Sequence, residues 1–126
     1  TMSAGIAALD EVYTPAVARA LNERGDALRR SLNGIAAQRA LALHWTGRGS
    51  MLCFHVAGAP PRNAAEAAAG DQGMKELLFL DLLERGFYIA RRGMIALSLA
   101  VGEAELVAFE DAVAEVLDLR APLFTN

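Results

Sequence analysis

The chain has 126 residues and a mass of 13.4 kDa, the usual size of one domain, so we expect residues 1–126 to fold as one unit. Its net charge is −3, and its arginines are scattered among 15 carboxylates, which argues against the basic stripe that nucleic-acid binding needs. A single cysteine excludes an internal disulfide, and the longest uncharged apolar run is far shorter than the ~20 residues of a membrane-spanning helix, so we expect a cytoplasmic protein that binds no membrane.

The first segment already has a helical pattern, because Met2, Ile6, Leu9 and Tyr13 follow one another at helical spacing. No helix-start signal precedes this pattern. A natural domain seldom begins inside an amphipathic helix without a cap, so the pattern predicts that further sequence precedes Thr1 in the intact protein.

A second helix is predicted to begin at Thr14-Pro15 and to run to about Gln38. A hydroxyl cap followed by proline is a strong start signal, since the missing N–H of a proline costs nothing at the first helical position. One face of this helix is apolar and the others are charged, which is typical of a helix packed on a sheet. The apolar positions are Val17, Leu21, Leu28, Leu32 and Ile35.

Two β-prone runs follow, from Ala40 to Thr46 and from Ser50 to Val56, separated by Gly47-Arg48-Gly49. This spacing predicts an antiparallel hairpin. The alternation of the second run predicts one inward-facing set of side chains, Leu52, Phe54 and Val56. It predicts an outward-facing set made of Met51, Cys53 and His55.

The second half of the chain predicts a helix, two strands and a last helix. The first helix covers about Met74 to Arg85 and ends at Gly86, the strands cover Phe87 to Ala90 and Met94 to Leu99, and the last helix covers Glu103 to Leu119. Its docking residues are Leu106, Phe109, Val113 and Val116. The order predicts a two-layer α/β (α+β) domain, with a small, open, mostly antiparallel sheet of three to four strands and helices on one face.

Lys75 is the only lysine, and therefore the only side chain able to form a Schiff base with a cofactor aldehyde. Such a lysine needs a desolvated pocket. Lys75 precedes Glu76 near the start of a leucine-rich helix, so we expect its ammonium to be exposed, and the chain to provide no residue that binds a cofactor.

His44, Cys53 and His55 are the residues from which a metal site would be built. Structural zinc normally takes four closely spaced ligands, and no CxxC or HxxxH motif accompanies these three, so the spacing predicts packing residues and no metal site. Gly47-Arg48-Gly49-Ser50 joins two strands, whereas a phosphate loop runs from a strand into a helix. Arg48 is therefore predicted to be a solvated turn residue.

Arg91 and Arg92 lie together in the turn between the last two predicted strands. A guanidinium grips a carboxylate through two parallel hydrogen bonds, and a turn between strands is a rigid place from which to present it. The alternative is a charged connection exposed to water. The residues by themselves leave both interpretations open and favour the solvated connection.

The strings MSAGIAAL, GRGSMLCFHV, LLERG and GFYIARRGMIALSLAVGEAEL occur in an order and spacing that resemble one family over essentially the whole chain. The chain resembles the C-terminal small domain of class III pyridoxal-phosphate-dependent aminotransferases, nearest to the glutamate-1-semialdehyde 2,1-aminomutase-like branch. The resemblance implies the fold of the C-terminal domain of aspartate-aminotransferase-like enzymes. It implies that pyridoxal phosphate is bound in the intact parent enzyme and not by this chain alone.

The resemblance also implies a homodimeric parent whose cofactor lysine lies upstream of Thr1, in a large domain, while the small domain closes over an amino-acid or amine substrate. It implies that Arg92, or as second choice Arg91, binds the substrate, and that the chain contributes no catalytic residue. Aminomutases have a glutamate a few residues before the LSL strand, where this chain has Arg92-Gly93-Met94. That departure favours an aminotransferase with another amino donor.

A second hypothesis needs no parent enzyme. The same elements are compatible with a stand-alone α/β ligand-binding or dimerisation module, whose strands pair across a two-fold axis. Nothing in the composition excludes it, and the sequence upstream of residue 1 distinguishes the two hypotheses.

Overall fold

The fold is built on a three-stranded antiparallel sheet of order β1-β2-β3, with β1 at Leu43–Arg48, β2 at Met51–Val56 and β3 at Met94–Ala96. The structure is a computed structural model, and it describes residues 2–124. The predicted α+β class with helices on one face of an open sheet is confirmed.

The predicted hairpin is confirmed, but its turn is shorter than expected. Arg48 pairs with Met51, so only Gly49 and Ser50 form the turn, and the first strand lies about two residues later than predicted. Gly49 has a φ of +57°, a left-handed conformation that glycine adopts at no steric cost. Its N–H donates to the Asp26 carboxylate at 3.1 Å, so the turn is fixed on the preceding helix.

The helices begin where short polar side chains cap them. Helix α2 (Pro15–Gln38) starts at Thr14, as predicted, with the hydroxyl accepting from the Val17 N–H. Helix α4 (Gln72–Glu84) starts at Asp71, whose carboxylate accepts from the Met74 N–H at 2.8 Å. The last helix, α5, spans Glu103–Arg120 and ends in a 3₁₀ turn, Ala121–Phe124.

Two short helices complete the chain. Helix α1 (Met2–Ala7) continues into a π-helical turn, Ala8–Val12, so the predicted helical start is confirmed, although none of its residues is buried. Helix α3 (Ala64–Ala69) was not predicted. It starts at Asn63, whose side chain accepts from the Glu66 N–H at 2.9 Å, a cap that the alanine-rich composition concealed.

Helices α2, α4 and α5 cover one face of the sheet, where the core lies. The four predicted docking residues of α5 are all buried, and so is the predicted inward-facing set of β2. The most deeply buried large side chains are Phe54, Leu32, Leu52, Leu117 and Val116. No helix within residues 2–124 is long and apolar enough to cross a membrane.

The prediction of a strand over residues 87–90 is wrong. This segment forms no strand ladder. The chain reverses at Arg91-Arg92, where the Ala90 N–H donates to the Met94 carbonyl at 3.0 Å. Strand β3 is also shorter than predicted. Its partner residues on β2 end at Met51, where the hairpin turn begins.

Candidate functional site

The Arg91-Arg92-Gly93 turn is fixed to the sheet by its backbone. The Gly93 N–H donates to the Ala90 carbonyl at 2.7 Å, and the Gly93 carbonyl accepts from the Phe54 N–H at 3.1 Å. Gly93 has a φ of +83°, which favours glycine. The two arginines are therefore presented from a hydrogen-bonded turn beside β2.

Gly93 is also required by its surroundings. A Cβ at this position would lie 2.5 Å from Lys75 Cε and 3.1 Å from the Phe54 ring, closer than packed atoms approach. The turn thus rests directly on the Lys75 side chain, which rises from α4. A residue with a Cβ would therefore require the Lys75 side chain or the turn to shift, in addition to the strain of the positive φ.

Lys75 is buried, and the prediction of an exposed ammonium is wrong. Only 7% of the residue is accessible, and its Nζ lies 3.8 Å from Cys53 Sγ and 5.7 Å from the centroid of the Phe54 ring. Leucines surround α4 almost completely, so the sequence does not determine which side faces solvent. Among the leucines of α4, Leu80 and Leu83 are the two that are exposed.

Arg91 and Arg92 point to different surroundings. The Arg91 guanidinium forms an ion pair with the carboxylate of Glu76 on α4. Arg92 Nη2 lies 3.2 Å from Met94 Sδ and makes none of the ion pairs found among residues 2–124. Sequence reasoning missed Glu76, because a partner 15 residues away on another element leaves no local pattern.

Arg92 lines an open groove of about 330 Å³ between residues 88–90, which precede the turn, and β3. The other lining residues are Tyr88, Ile89, Ala90, Met94, Ile95 and Ala96. Tyr88 is 82% exposed, and its ring meets Phe79 edge to face, at 6.4 Å between centroids. The groove combines a guanidinium that makes no ion pair within residues 2–124 with apolar and aromatic walls. This combination suits a carboxylate attached to an apolar group.

Cys53 and His55, two of the three residues considered as metal ligands, lie on the outward face of β2. Residues 2–124 contain no group of three or more His, Cys, Asp and Glu side chains placed to hold a metal ion. His55 Nε2 lies 3.1 Å from Thr46 Oγ1, and burial, followed by the positive charge of Lys75 and by His44, lowers the His55 pKa from its usual 6.5. That His44, Cys53 and His55 bind no metal stays a prediction.

Arg48 is exposed at the end of β1, next to the hairpin turn, and its guanidinium is in none of the ion pairs found among residues 2–124. The solvated position that the sequence predicts is therefore confirmed, although the residue pairs with Met51 instead of lying within the turn. It takes no part in the groove that Arg92 lines.

No protein-family model matches the sequence. Among curated proteins, the chain is 40% identical over 106 residues to the beta-phenylalanine transaminase of Variovorax paradoxus, which covers 84% of this chain and 24% of that protein. It is 38% identical over 86 residues to the glutamate-1-semialdehyde 2,1-aminomutase of Verminephrobacter eiseniae, covering 68% of this chain and 20% of that protein. The chain spans about a quarter or less of the length of these relatives.

Solved structures give the same result. The beta-phenylalanine aminotransferase from Variovorax paradoxus superimposes with a TM-score of 0.93 and 35% identity, over 97% of this chain and 28% of that one. A transaminase with PLP bound superimposes with a TM-score of 0.79 and 25% identity, over 99% of this chain and 28% of that one. The structural match is thus nearly complete for this chain and partial for its relatives.

Proposed function

The chain belongs to the class III aminotransferases and glutamate-1-semialdehyde aminomutases, and on that premise we propose that it acts as the C-terminal small domain of a pyridoxal-phosphate-dependent aminotransferase. In this role the domain shapes one wall of the substrate pocket for amino-group transfer. The observation that carries the proposal is the guanidinium of Arg92, which lines a largely apolar groove, is in no ion pair within residues 2–124, and stands on a turn fixed to β2.

Arg92 binds the carboxylate of the amino-acid substrate in this proposal. Its side chain is exposed and lines the groove, and the hydrogen-bonded turn limits the conformational freedom that is lost on binding. Arg91 is the weaker candidate, because Glu76 already satisfies its charge. A bidentate contact from Arg92 orients the substrate while apolar walls exclude water from its side chain.

The substrate class follows from the same groove. A carboxylate at Arg92 places the remainder of the substrate near Tyr88, Ile89 and Met94, which favours an amino acid with an apolar or aromatic side chain. The transaminase from Variovorax paradoxus carries beta-phenylalanine in its name, which agrees with this class. The resemblance implies a glutamate in aminomutases at the segment where this chain has Arg92-Gly93-Met94. The cationic Arg92 in that segment favours aminotransfer over the aminomutase reaction.

The residues of this chain do not fit pyridoxal phosphate itself. Lys75, the only lysine, is enclosed by Gly93, Phe54 and Cys53, and it does not line the groove beside Arg92. The cofactor therefore belongs to the rest of the parent enzyme. This chain contributes substrate orientation and closure.

The N-terminal helix supports contact with the rest of that enzyme. Within residues 2–124, this helix and its π-helical turn make at most weak contacts with the sheet and the long helices. The large apolar side chains of this segment are all exposed: Met2, Ile6, Leu9, Val12 and Tyr13. Buried against another surface, they would contribute several kcal/mol, at about 1.5 to 3 kcal/mol for each large side chain. We assign this stripe to the large domain of a homodimeric, cytoplasmic parent.

Two observations test the proposal. The gene upstream of residue 1 should encode roughly 250 to 300 further residues that include the cofactor lysine, as one large α/β domain. The purified chain, mixed with pyridoxal phosphate, should give no stoichiometric covalent adduct in its absorption spectrum. An open reading frame that starts at residue 1, or an adduct abolished by Lys75→Ala, would contradict the proposal.

A further inference from the structure

The buried ammonium of Lys75 has no carboxylate partner among residues 2–124. Six ion pairs join side chains within residues 2–124, and Lys75 is in none of them. Among residues 2–124, its Nζ has one hydrogen-bond acceptor, Cys53 Sγ at 3.8 Å, and its aliphatic part lies against Phe54 and the Gly93 backbone. A buried cation without an anion is costly, so its position beside the only sulfhydryl is a feature to be explained.

Cys53 lies on the outward face of β2 and is only partly buried. Its sulfur is also 3.6 Å from the Arg92 carbonyl oxygen, so the thiol stands directly beneath the turn that carries the arginines. Oxidation-sensitive cysteines are partly exposed thiols beside a cationic side chain. Cys53 has both properties, and the cation is held in place from two sides.

We propose that Cys53 and Lys75 form an oxidation-driven covalent bridge, a sulfenamide joining Sγ to Nζ, with a peroxide as oxidant. The bridge would link β2 to α4 beneath the Arg91-Arg92-Gly93 turn. This inference is independent of the proposed aminotransferase role, since it depends only on two side chains of this chain.

The chemistry balances in two steps. The Cys53 sulfur attacks one peroxide oxygen, an S–O bond forms and the O–O bond breaks, so sulfur is oxidised by two electrons and the other oxygen leaves as water. The Lys75 nitrogen then attacks sulfur, an S–N bond forms, and the S–O bond breaks with release of a second water. An ammonium that enters this step also releases one proton to solvent.

The test uses the single lysine. A lysine-specific endoproteinase cuts the denatured chain only after Lys75, into fragments 1–75 and 76–126, and a bridged Lys75 blocks that cut. Treatment of the folded chain with hydrogen peroxide is expected to produce a monomeric band that resists cleavage. Dithiothreitol, which splits the S–N bond, is expected to restore cleavage fully. Methionine oxidation does not affect this measurement.

The matched control is Cys53→Ser, which keeps Lys75 and should be cut completely at every peroxide dose. A second variant, Lys75→Arg, keeps the charge but cannot form the bridge, and its Cys53 should retain more sulfenic acid, measured by dimedone labelling, than the natural chain does. Complete cleavage of the peroxide-treated natural chain, with dimedone labelling equal to that of Lys75→Arg, would overturn the proposal.

Discussion

The carboxylate of Asp81 accepts two parallel hydrogen bonds of 2.8 Å from the guanidinium of Arg120. Asp81 lies in the last turn of α4 and is buried, while Arg120 is the last residue of α5. The hydrogen bonds from Arg120 hold the pKa of the Asp81 carboxyl below its usual value. This pair joins the C-terminal ends of α4 and α5.

We expect Asp81→Ala to lower the free energy of unfolding by about 1 to 3 kcal/mol, because the substitution removes two charge-assisted hydrogen bonds at a buried position. Urea denaturation at neutral pH measures the change. Asp111→Ala is the control, since Asp111 is an exposed carboxylate on α5 and should have little effect. Equal midpoints for the two variants would show that the pair does not stabilise the helix contact.

The lowered pKa of His55 should make the stability of the chain depend on pH. Its pKa is lowered in the folded chain, chiefly by burial and next by the positive charge of Lys75. The unfolded chain therefore binds a proton first as the pH falls below 6.5, so stability is lost from there downward, until the folded state also protonates. His55→Gln should reduce the loss between pH 7.5 and pH 5. A difference between variant and natural chain that stays constant over this range would contradict the expectation.

On the last helix, α5, we expect the substitution of Phe109 to have a large effect on the free energy of unfolding. Phe109 is 7% exposed, and its ring lies 5.3 Å from Phe87 and 6.3 Å from Trp45, centroid to centroid. We expect Phe109→Ala to cost about 3 to 5 kcal/mol, most of the stability of a small domain. Val107→Ala on the same helix, 48% exposed, should cost far less. Chemical denaturation of both variants gives the comparison, and an unchanged midpoint for Phe109→Ala would contradict the packing.

The elements that the sequence predicted well carry their own signals. Helix α2 combines the Thr14 cap, Pro15 and one apolar stripe, and β2 alternates strictly, so their positions and buried faces follow from local rules. Lys75 was misplaced because the leucines around α4 define no single face. Only the packing of α4 against the sheet decides which of its side chains are covered.

Contacts between residues far apart in the chain could not be predicted from one sequence. Asp81 and Arg120 are separated by 39 positions, and both residue types are normally exposed, so nothing local marks a buried pair. The ion pair between Glu76 and Arg91 is of the same kind. At the candidate site, the resemblance identified the turn, but the different environments of its two arginines required the structure.

The kinetics of two variants in the full-length parent enzyme test the central claim most directly. We expect Arg92→Ala to lower kcat/KM for amino-acid donors at least about thirty-fold, because a charge-assisted contact to the carboxylate is lost. This corresponds to a loss of about 2 to 5 kcal/mol of transition-state stabilisation. It should leave simple amine donors nearly unchanged. Arg91→Ala, whose natural partner is Glu76, should retain most activity with both classes. Wild-type kcat/KM for amino acids in both variants would contradict the account.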